Sequence, residues 1–314
     1  MATVRSQLLR LFVRYVFAPG IGSGTNLHRT RRFLEAASYL AMMPRGIKVE
    51  SVTAHGVLAE WVSAPHASEH HAILYLHGGA FVQGSLNTYR DLAARVSLAS
   101  GARVLLIEYR LAPEHPFPAA LDDAVAAYQW LLAQGFSGGC IAVAGDSAGG
   151  GLVISALVSL RDSQTKLPAA AVCISPWVDL AMEGESVSKY QQTDPMIRVD
   201  FLRFAADLYL AGRDPRLPLA SPVYADLTGL PPLLVQVGEE EVLASDSMRL
   251  VERARAVGVD AKLEVSREMW HCWHAFASMV PEAQATVDSL GAFLRGHLVI
   301  DIRHNRNQRS NHAI

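Results

Sequence analysis

Segments typical of β-strands alternate with segments typical of α-helices along most of this chain. Short apolar or β-branched runs are found at Val57–Val62, Ala72–Leu76, Arg103–Ile107, Cys140–Ala144, Ala170–Ile174, Leu233–Val237 and Ala261–Val265. Helical patterns lie between them at 88–100, where Asn87 is the expected N-cap, and at 119–134, 150–160 and 245–256. A strand–helix–strand order requires right-handed crossovers, and these build a mostly parallel sheet with helices on both faces. The sequence therefore predicts an α/β fold.

Two stretches break this alternation. Residues 1–45 are helical, with glycines at Gly20, Gly22 and Gly24, and residues of about 181–220 are polar, then aromatic, then proline-rich. We expect them to form one helical cap over the carboxyl edge of the sheet. The α/β domain would then span 46–300, with the second stretch inserted into it. Residues 301–314 have no periodicity, which predicts a flexible tail.

Composition and charge limit the partners of the chain. Its 314 residues include 28 basic and 30 acidic side chains, so the formal net charge is −2, and this balance gives no electrostatic footprint for nucleic acid. The cysteines Cys140, Cys173 and Cys272 are widely spaced, which indicates neither a disulfide framework nor a zinc ribbon. These features favour a small neutral or weakly charged ligand and a reducing, cytoplasmic location.

Apolar residues near the N-terminus form a short segment that two arginines interrupt. Arg10 and Arg14 break the run between Leu8 and Phe17, so it suits neither a signal peptide nor a spanning helix, and we expect no stable membrane insertion. The spacing predicts an amphipathic helix with an apolar face made of Leu8, Leu9, Leu11, Phe12, Tyr15 and Val16. We expect this face to pack on the body of the protein, and contact with a lipid interface is the alternative.

A G-x-S-x-G pattern at 145–149 supplies the strongest chemical signal. It follows an apolar strand and precedes a helical run, which is the context of a nucleophile elbow. Flanking glycines permit the sharp turn, and the helix N-terminus favours negative charge developing near Ser147. A serine that only caps the helix is the structural alternative. The pattern predicts that Ser147 is a nucleophile.

A second glycine-rich loop follows the strand Ala72–Leu76. It reads H-G-G-A-F at 77–81, and its small residues let backbone N–H groups approach a ligand oxygen. We expect the N–H groups of Gly78 and Gly79 to form an oxyanion hole together with that of Ala148. The elbow and this loop would supply complementary halves of one reaction centre.

These motifs also carry a family resemblance. H-G-G-A-F at 77–81, Y-R-L-A-P-E-H-P-F-P-A at 109–119 and G-D-S-A-G-G at 145–150 resemble the bacterial hormone-sensitive-lipase-like esterases, family IV of the α/β-hydrolases. The likeness extends from about residue 72 to 296. It implies an α/β-hydrolase fold with a helical cap and a nucleophile, acid and histidine in that chain order. We expect the Y-R-L-A-P-E block to brace the loop beneath the site, without a chemical role.

The resemblance also selects the acid and the histidine. In similar proteins the acid stands two residues before a leucine, which points to Glu241, although many relatives have Asp-Pro here. Asp246 and Glu240 are the alternatives. The family pattern Met-x-His-x-aromatic selects His271, with His274 in reserve. A metal site at 271–274 is not indicated, because two histidines and one cysteine have no further ligands at a credible spacing.

The resemblance implies a carboxylesterase that acts on small-molecule esters with short to medium acyl chains. The proposed triad is Ser147, His271 and Glu241, and the reaction passes through an acyl-enzyme. No metal, nucleotide or flavin is expected, because the glycines at 20–24 do not follow a strand. Alternatives are a serine hydrolase acting on amides, carbamates or acetylated carbohydrates, and a non-catalytic ligand-binding protein. Relatives often dimerise through the sheet edge, so Val259–Val265 is a possible homodimer edge.

Overall fold

The computed structural model describes residues 3–18, 26–39 and 42–299. Eight strands form one sheet in the order β1-β2-β4-β3-β5-β6-β7-β8. β2 is antiparallel to both of its neighbours, and all other neighbouring pairs are parallel. The strands are β1 Lys48–Ala54, β2 Val57–Ser63, β3 Ser68–Leu76, β4 Ala102–Ile107, β5 Ile141–Asp146, β6 Ala170–Ile174, β7 Leu233–Gly238 and β8 Ala261–Ser266. The predicted α/β fold is confirmed.

Helices connect the strands and cover both faces of the sheet. They are α1 Val4–Phe12, α2 Leu27–Ser38, α3 Leu86–Ser100, α4 Ala119–Ala133, α5 Ala148–Asp162, α6 Glu185–Tyr190, α7 Val199–Leu210, α8 Ala244–Ala256 and α9 Pro281–His297. α1 continues into a π-helical turn at Val13–Phe17. The helices α6 and α7 lie in the stretch between β6 and β7. In the part of the chain that the structure describes, no helix is long and apolar enough to cross a membrane.

The central strands are buried on both faces, as a parallel sheet covered by helices requires. Every residue of β5, β6 and β7 is buried. Leu74 and Leu105 pack with α4, α5 and α8 on one face, whereas Ile73 and Leu106 pack with α3 and α9 on the other. Complete burial of one such side chain contributes about 1.5–3 kcal/mol to folding. This double core holds the carboxyl ends of the parallel strands at one edge.

Two local expectations are corrected by the structure. The edge strand β1 was not predicted, because it is polar and only its last residue is fully buried, so it lacks an apolar signal. The expected N-cap Asn87 lies inside α3. Ser85 caps this helix instead: its hydroxyl accepts the Thr88 N–H, and Thr88 Oγ1 accepts the Ser85 N–H, which together form a capping box.

The orientation of the N-terminal helix also differs from the expectation. Of the six residues predicted to form a packed apolar face, only Leu9 is buried, and the other five are exposed. The arginines face the body instead: Arg10 pairs with Glu240 at 2.6 Å, and Arg14 donates to the carbonyl of Gln192 at 2.8 Å. The prediction that the whole apolar face packs on the body is therefore wrong. The contacts of Arg10 and Arg14 help fix the helix in the opposite rotation about its axis. The glycines at 20–24 and residues 301–314 lie outside the described residues.

Candidate active site

The nucleophile elbow forms where β5 ends and α5 begins. Ser147 lies between these elements with φ 53° and ψ −122°, a strained conformation for a residue with a side chain. A Cβ atom on Gly149 would lie 2.0 Å from the carbonyl oxygen of Leu76, and one on Gly145 would lie 2.6 Å from it. The pattern therefore requires glycine at both positions because the backbones pass so closely.

The hydroxyl group of Ser147 faces the side chain of His271. His271 lies in the loop that follows β8, before a 3₁₀ turn at Trp273–Phe276. Its Nε2 is 2.9 Å from Ser147 Oγ, and both side chains are buried. A neutral imidazole in this position is able to accept the serine proton directly.

Glu241 lies on the other side of the imidazole, in the loop between β7 and α8. Its Oε1 is 3.5 Å from His271 Nδ1, at the long end of hydrogen-bond distance. Its Oε2 accepts hydrogen bonds from Ser175 Oγ at 2.8 Å and from the Gly238 N–H at 2.9 Å. The carboxylate is fully buried, so these donors fix its direction towards the ring.

The alternative acids are engaged elsewhere. Glu240 pairs with Arg10. Asp246 Oδ2 accepts the backbone N–H groups of Val178 and Asp179, both at 3.0 Å. Burial raises the pKa of Asp246 to about 8, and the neighbouring charge of Asp179 acts in the same direction. Of the three candidate acids, Glu241 is the one that the structure brings to His271.

The reserve histidine occupies a buried structural position. His274 Nε2 lies 3.0 Å from Gln236 Oε1, and the residue is almost fully buried. Burial lowers the pKa of His274 to about 3, and the nearby His271 acts in the same direction, so the ring is neutral. Among the described residues, no group of three or more His, Cys, Asp or Glu side chains is arranged to hold a metal ion.

The expected oxyanion donors differ in their availability. The N–H of Gly78 donates to Asp146 Oδ1 at 3.0 Å, so this bond occupies it. The N–H groups of Gly79, Ala80 and Ala148 have no hydrogen-bond acceptor among the residues described. The structure therefore favours Ala80 over Gly78 as a partner for Gly79 and Ala148. The sequence does not indicate this difference, because the bond that occupies the Gly78 N–H joins residues 68 positions apart.

Asp146, the second residue of the elbow, connects the elbow to the H-G-G loop through a hydrogen bond. Besides the Gly78 N–H, its carboxylate accepts hydrogen bonds from Tyr75 Oη at 3.1 Å and Tyr89 Oη at 3.0 Å. Burial raises the pKa of Asp146 to about 6, although the two tyrosine hydroxyls oppose this. The elbow is thereby linked to the H-G-G loop through one buried carboxylate.

The Y-R-L-A-P-E block contacts the same loop from below. Tyr109 Oη donates to the carbonyl of His77 at 2.7 Å, and the two rings stack with centroids 4.2 Å apart. The N–H of Ala112 donates to the carbonyl of Phe81 at 2.9 Å. These contacts fit the bracing role expected of this block.

Negative groups around the imidazole determine its protonation. Burial disfavours the imidazolium, but the hydrogen bond and charge of Glu241 outweigh burial, with help from Asp194 and Asp146. The net effect is a pKa of His271 above its ordinary value. The environment therefore stabilises the protonated form that general-base catalysis produces.

A thiol also lies next to the imidazole. Cys272 Sγ is 3.3 Å from His271 Nε2 and is buried. Burial raises the pKa of this thiol far above its ordinary range, and the charges of Asp146 and Glu241 act in the same direction. Because the thiolate is the reactive form of cysteine, this environment favours Ser147 as the nucleophile.

Two residues that support the acid loop were not found from the sequence. Ser175 holds Glu241, as described above. Asp194, from the stretch between α6 and α7, accepts the Val242 N–H through Oδ2 at 3.0 Å and the Met196 N–H through Oδ1 at 2.9 Å. The bonds from Ser175 to Glu241 and from Val242 to Asp194 span 66 and 48 residues, so no local pattern predicts them.

This chain is similar to known proteins over most of its length. A family model described as alpha/beta hydrolase fold matches residues 73–275. An acetyl-hydrolase of Streptomyces hygroscopicus is 48% identical over 264 residues, which cover 84% of this chain and 87% of that protein.

Solved structures show the same similarity. An esterase from the bacterial hormone-sensitive lipase family superposes with a TM-score of 0.91 at 44% identity, covering 95% of this chain and 100% of that one. The protein EstE5, in a crystal soaked with p-nitrophenyl butyrate, gives a TM-score of 0.91 at 44% identity, covering 95% of this chain and 99% of its own. The chain therefore belongs to the α/β-hydrolase superfamily and, within it, to the hormone-sensitive-lipase family of esterases.

Proposed function

We propose that this chain, a carboxylic ester hydrolase by its family, is a carboxylesterase that cleaves esters of short- to medium-chain acids. Ser147 acts as nucleophile, His271 as general base and acid, and Glu241 as the residue that orients the imidazole. The contact of 2.9 Å between Ser147 Oγ and His271 Nε2, at an elbow between β5 and α5, carries this proposal.

Acylation begins with proton transfer along that contact. His271 Nε2 takes the proton of the Ser147 hydroxyl while Oγ forms a bond to the ester carbonyl carbon, and the carbonyl electron pair moves to oxygen. The imidazolium then protonates the alkoxide leaving group as the C–O bond breaks. An alcohol departs, and the acyl group remains on Ser147.

Glu241 makes the imidazole an effective base. Its carboxylate accepts a hydrogen bond from the Nδ1–H, which leaves Nε2 free to accept the serine proton. The carboxylate also stabilises the imidazolium without taking its proton. The distance of 3.5 Å is compatible with this role, because catalytic hydrogen bonds are often long without substrate and shorten in the complex.

The oxyanion of the tetrahedral intermediate is stabilised by backbone N–H groups. Gly79, Ala80 and Ala148 are the proposed donors, because Asp146 occupies the N–H of Gly78. Loss of one such donor costs about 3 kcal/mol in the transition state. The N-terminus of α5 adds a favourable dipole at the same place.

Deacylation repeats these steps with water. His271 Nε2 accepts a proton from a water molecule whose oxygen bonds to the acyl carbon. The second tetrahedral intermediate then collapses, the bond to Ser147 Oγ breaks, and His271 returns its proton to that oxygen. The products are a carboxylic acid and the free enzyme.

The substrate class and the domain roles are part of the same proposal. One relative is named an acetyl-hydrolase, and the crystal of EstE5 was soaked with p-nitrophenyl butyrate. Both support the proposal that the substrates carry short acyl groups. Residues 1–45 and about 181–220 are proposed to form the cap on the 46–300 catalytic domain and to limit the length of the acyl chain. The edge strand β8 is the proposed homodimer edge.

Hydrolysis of p-nitrophenyl acetate, butyrate, octanoate and palmitate tests the proposal. We expect activity that falls from the short esters to palmitate and that is abolished by Ser147→Ala. The corresponding p-nitroanilides test the amide alternative. A folded parent enzyme that hydrolyses none of the esters would overturn the proposed function.

A further inference from the structure

The outer face of α1 and its π-helical turn exposes large apolar side chains to solvent. It comprises Val4, Leu8, Leu11, Phe12, Tyr15 and Val16, which are 73%, 62%, 52%, 48%, 70% and 58% exposed. Their spacing of mostly three and four residues places them along one side of the helix. Scattered single apolar residues are normal on a protein surface, but a continuous helical stripe of six marks an interaction surface.

This face is held outward by contacts on the opposite side of the helix. Leu9 and Val13 are buried in the core. Arg10 pairs with Glu240 at 2.6 Å and Arg14 donates to the Gln192 carbonyl at 2.8 Å. The orientation of the outer face is therefore fixed by packing, by one ion pair and by a hydrogen bond, and turning the stripe inward would break all three.

Charge indicates which partner the face would meet. Residues 1–45 contain seven arginines and one glutamate, although the whole chain carries a net charge of −2. Arg5, Arg29 and Arg32 are exposed, and their side chains have no carboxylate partner in the described part of the chain. A cationic segment with apolar side chains matches an anionic lipid surface. A second copy of the same face would bring like charges together.

We propose that the outer face of α1 docks on the surface of an anionic phospholipid bilayer. Leu8, Phe12 and their neighbours enter the boundary between headgroups and acyl chains, and Arg5, exposed on the same helix, reaches lipid phosphates. The association is peripheral and reversible. Because Arg10, on the opposite side of the helix, contacts Glu240 and the Thr193 carbonyl, docking would hold these loops one helix diameter, roughly 10 Å, from the lipid surface.

Vesicle flotation with the full-length chain tests this docking. We expect the protein to float with vesicles of phosphatidylcholine and phosphatidylglycerol, and much less with phosphatidylcholine alone. The double variant Leu8→Glu/Phe12→Glu should lower the partition coefficient roughly 30-fold or more, since binding depends on buried apolar area. Arg5→Gln should lower it about fivefold, the effect of one cationic side chain near the surface.

The matched control is Leu98→Glu/Met248→Glu, which adds the same charge at two side chains that are each 46% exposed on α3 and α8. This control should float like the parent, and all variants should retain p-nitrophenyl butyrate hydrolysis, which shows that they fold. No flotation of the parent, or equal flotation of the Leu8/Phe12 variant, would overturn the proposal. So would a parent dimer that this variant dissociates in the absence of lipid.

Discussion

At the scale of single residues, the central feature is an imidazole that faces two potential nucleophiles. Ser147 Oγ and Cys272 Sγ lie 2.9 Å and 3.3 Å from His271 Nε2. Burial and nearby carboxylates keep the thiol protonated, whereas the strained elbow presents the hydroxyl at a helix N-terminus. The chemistry of the site therefore depends on the environment as much as on distance.

The different environments of the hydroxyl and the thiol predict different results for two alanine variants. Ser147→Ala should lower kcat for p-nitrophenyl butyrate by roughly 10³-fold or more, because no other group forms the acyl-enzyme. Cys272→Ala should keep kcat within about threefold. Steady-state kinetics measure both, and a Cys272→Ala enzyme as inactive as Ser147→Ala would contradict the account.

The identity of the acid is tested by two isosteric substitutions. Glu241→Gln should lower kcat roughly 10²- to 10⁴-fold, because the neutral amide no longer stabilises the imidazolium. Asp246→Asn should retain nearly full activity, since this side chain contacts the backbone of Val178 and Asp179. If Asp246→Asn lost activity and Glu241→Gln kept it, Asp246 and not Glu241 would be the acid of the triad.

The pH dependence follows from the raised pKa of His271. General-base catalysis needs the neutral imidazole, so kcat/KM should rise with pH as this group loses its proton. Because Glu241, Asp194 and Asp146 stabilise the imidazolium, the midpoint of this rise should lie above 6.5. A profile of kcat/KM against pH measures it, and a midpoint below 6.5 would mean that burial dominates.

At the scale of elements, close packing between helices restricts side-chain size. A Cβ on Gly291 in α9 would lie 2.5 Å from backbone and side-chain atoms of Ala99 in α3, whereas Gly296 in the same helix has no atoms within 4 Å of such a Cβ. Gly291 lies in the interior of the helix against Ala99, whereas Gly296 is the penultimate residue of the helix and faces open space. Substitutions at these two positions therefore compare a packed site with an unpacked one in the same helix.

Alanine substitutions should have opposite effects on stability. Gly291→Ala should reduce the free energy of unfolding by about 1–3 kcal/mol through overpacking. Gly296→Ala should increase it by about 0.5–1 kcal/mol, because alanine favours the helix. Urea denaturation gives both values, and equal effects would show that α3 and α9 are not so closely packed.

Elements with a strong apolar period were predictable from the sequence, whereas those defined by distant partners were not. The strand before Ser147 and the helix after it carry local signals, and the structure has both. β1 lacks an apolar face, and the rotation of α1 depends on Glu240 and Gln192, which are far away in sequence. The engagement of the Gly78 N–H depends likewise on Asp146.

At the scale of the whole molecule, buried carboxyl groups couple stability to pH. Burial raises the pKa of Asp246 to about 8, far above its ordinary value of 3.8. The native state therefore holds this proton more tightly than the unfolded state. The stabilising contribution is fully present below the ordinary value and is lost as pH rises towards 8.

Asp246→Asn imitates the protonated carboxyl group and does not titrate. Its free energy of unfolding should therefore decline less between pH 4 and pH 8 than that of the parent. Urea denaturation at a series of pH values measures the two slopes. Identical slopes would show that Asp246 does not hold a proton in the folded protein.

The central claim is that Ser147 attacks the ester through His271, and covalent labelling tests it most directly. The parent enzyme would be inactivated with diethyl p-nitrophenyl phosphate, digested and mapped by mass spectrometry. We predict one diethylphosphoryl group per chain, on Ser147, with activity lost in proportion to labelling. A label on Cys272, or full esterase activity in the labelled protein, would contradict the account.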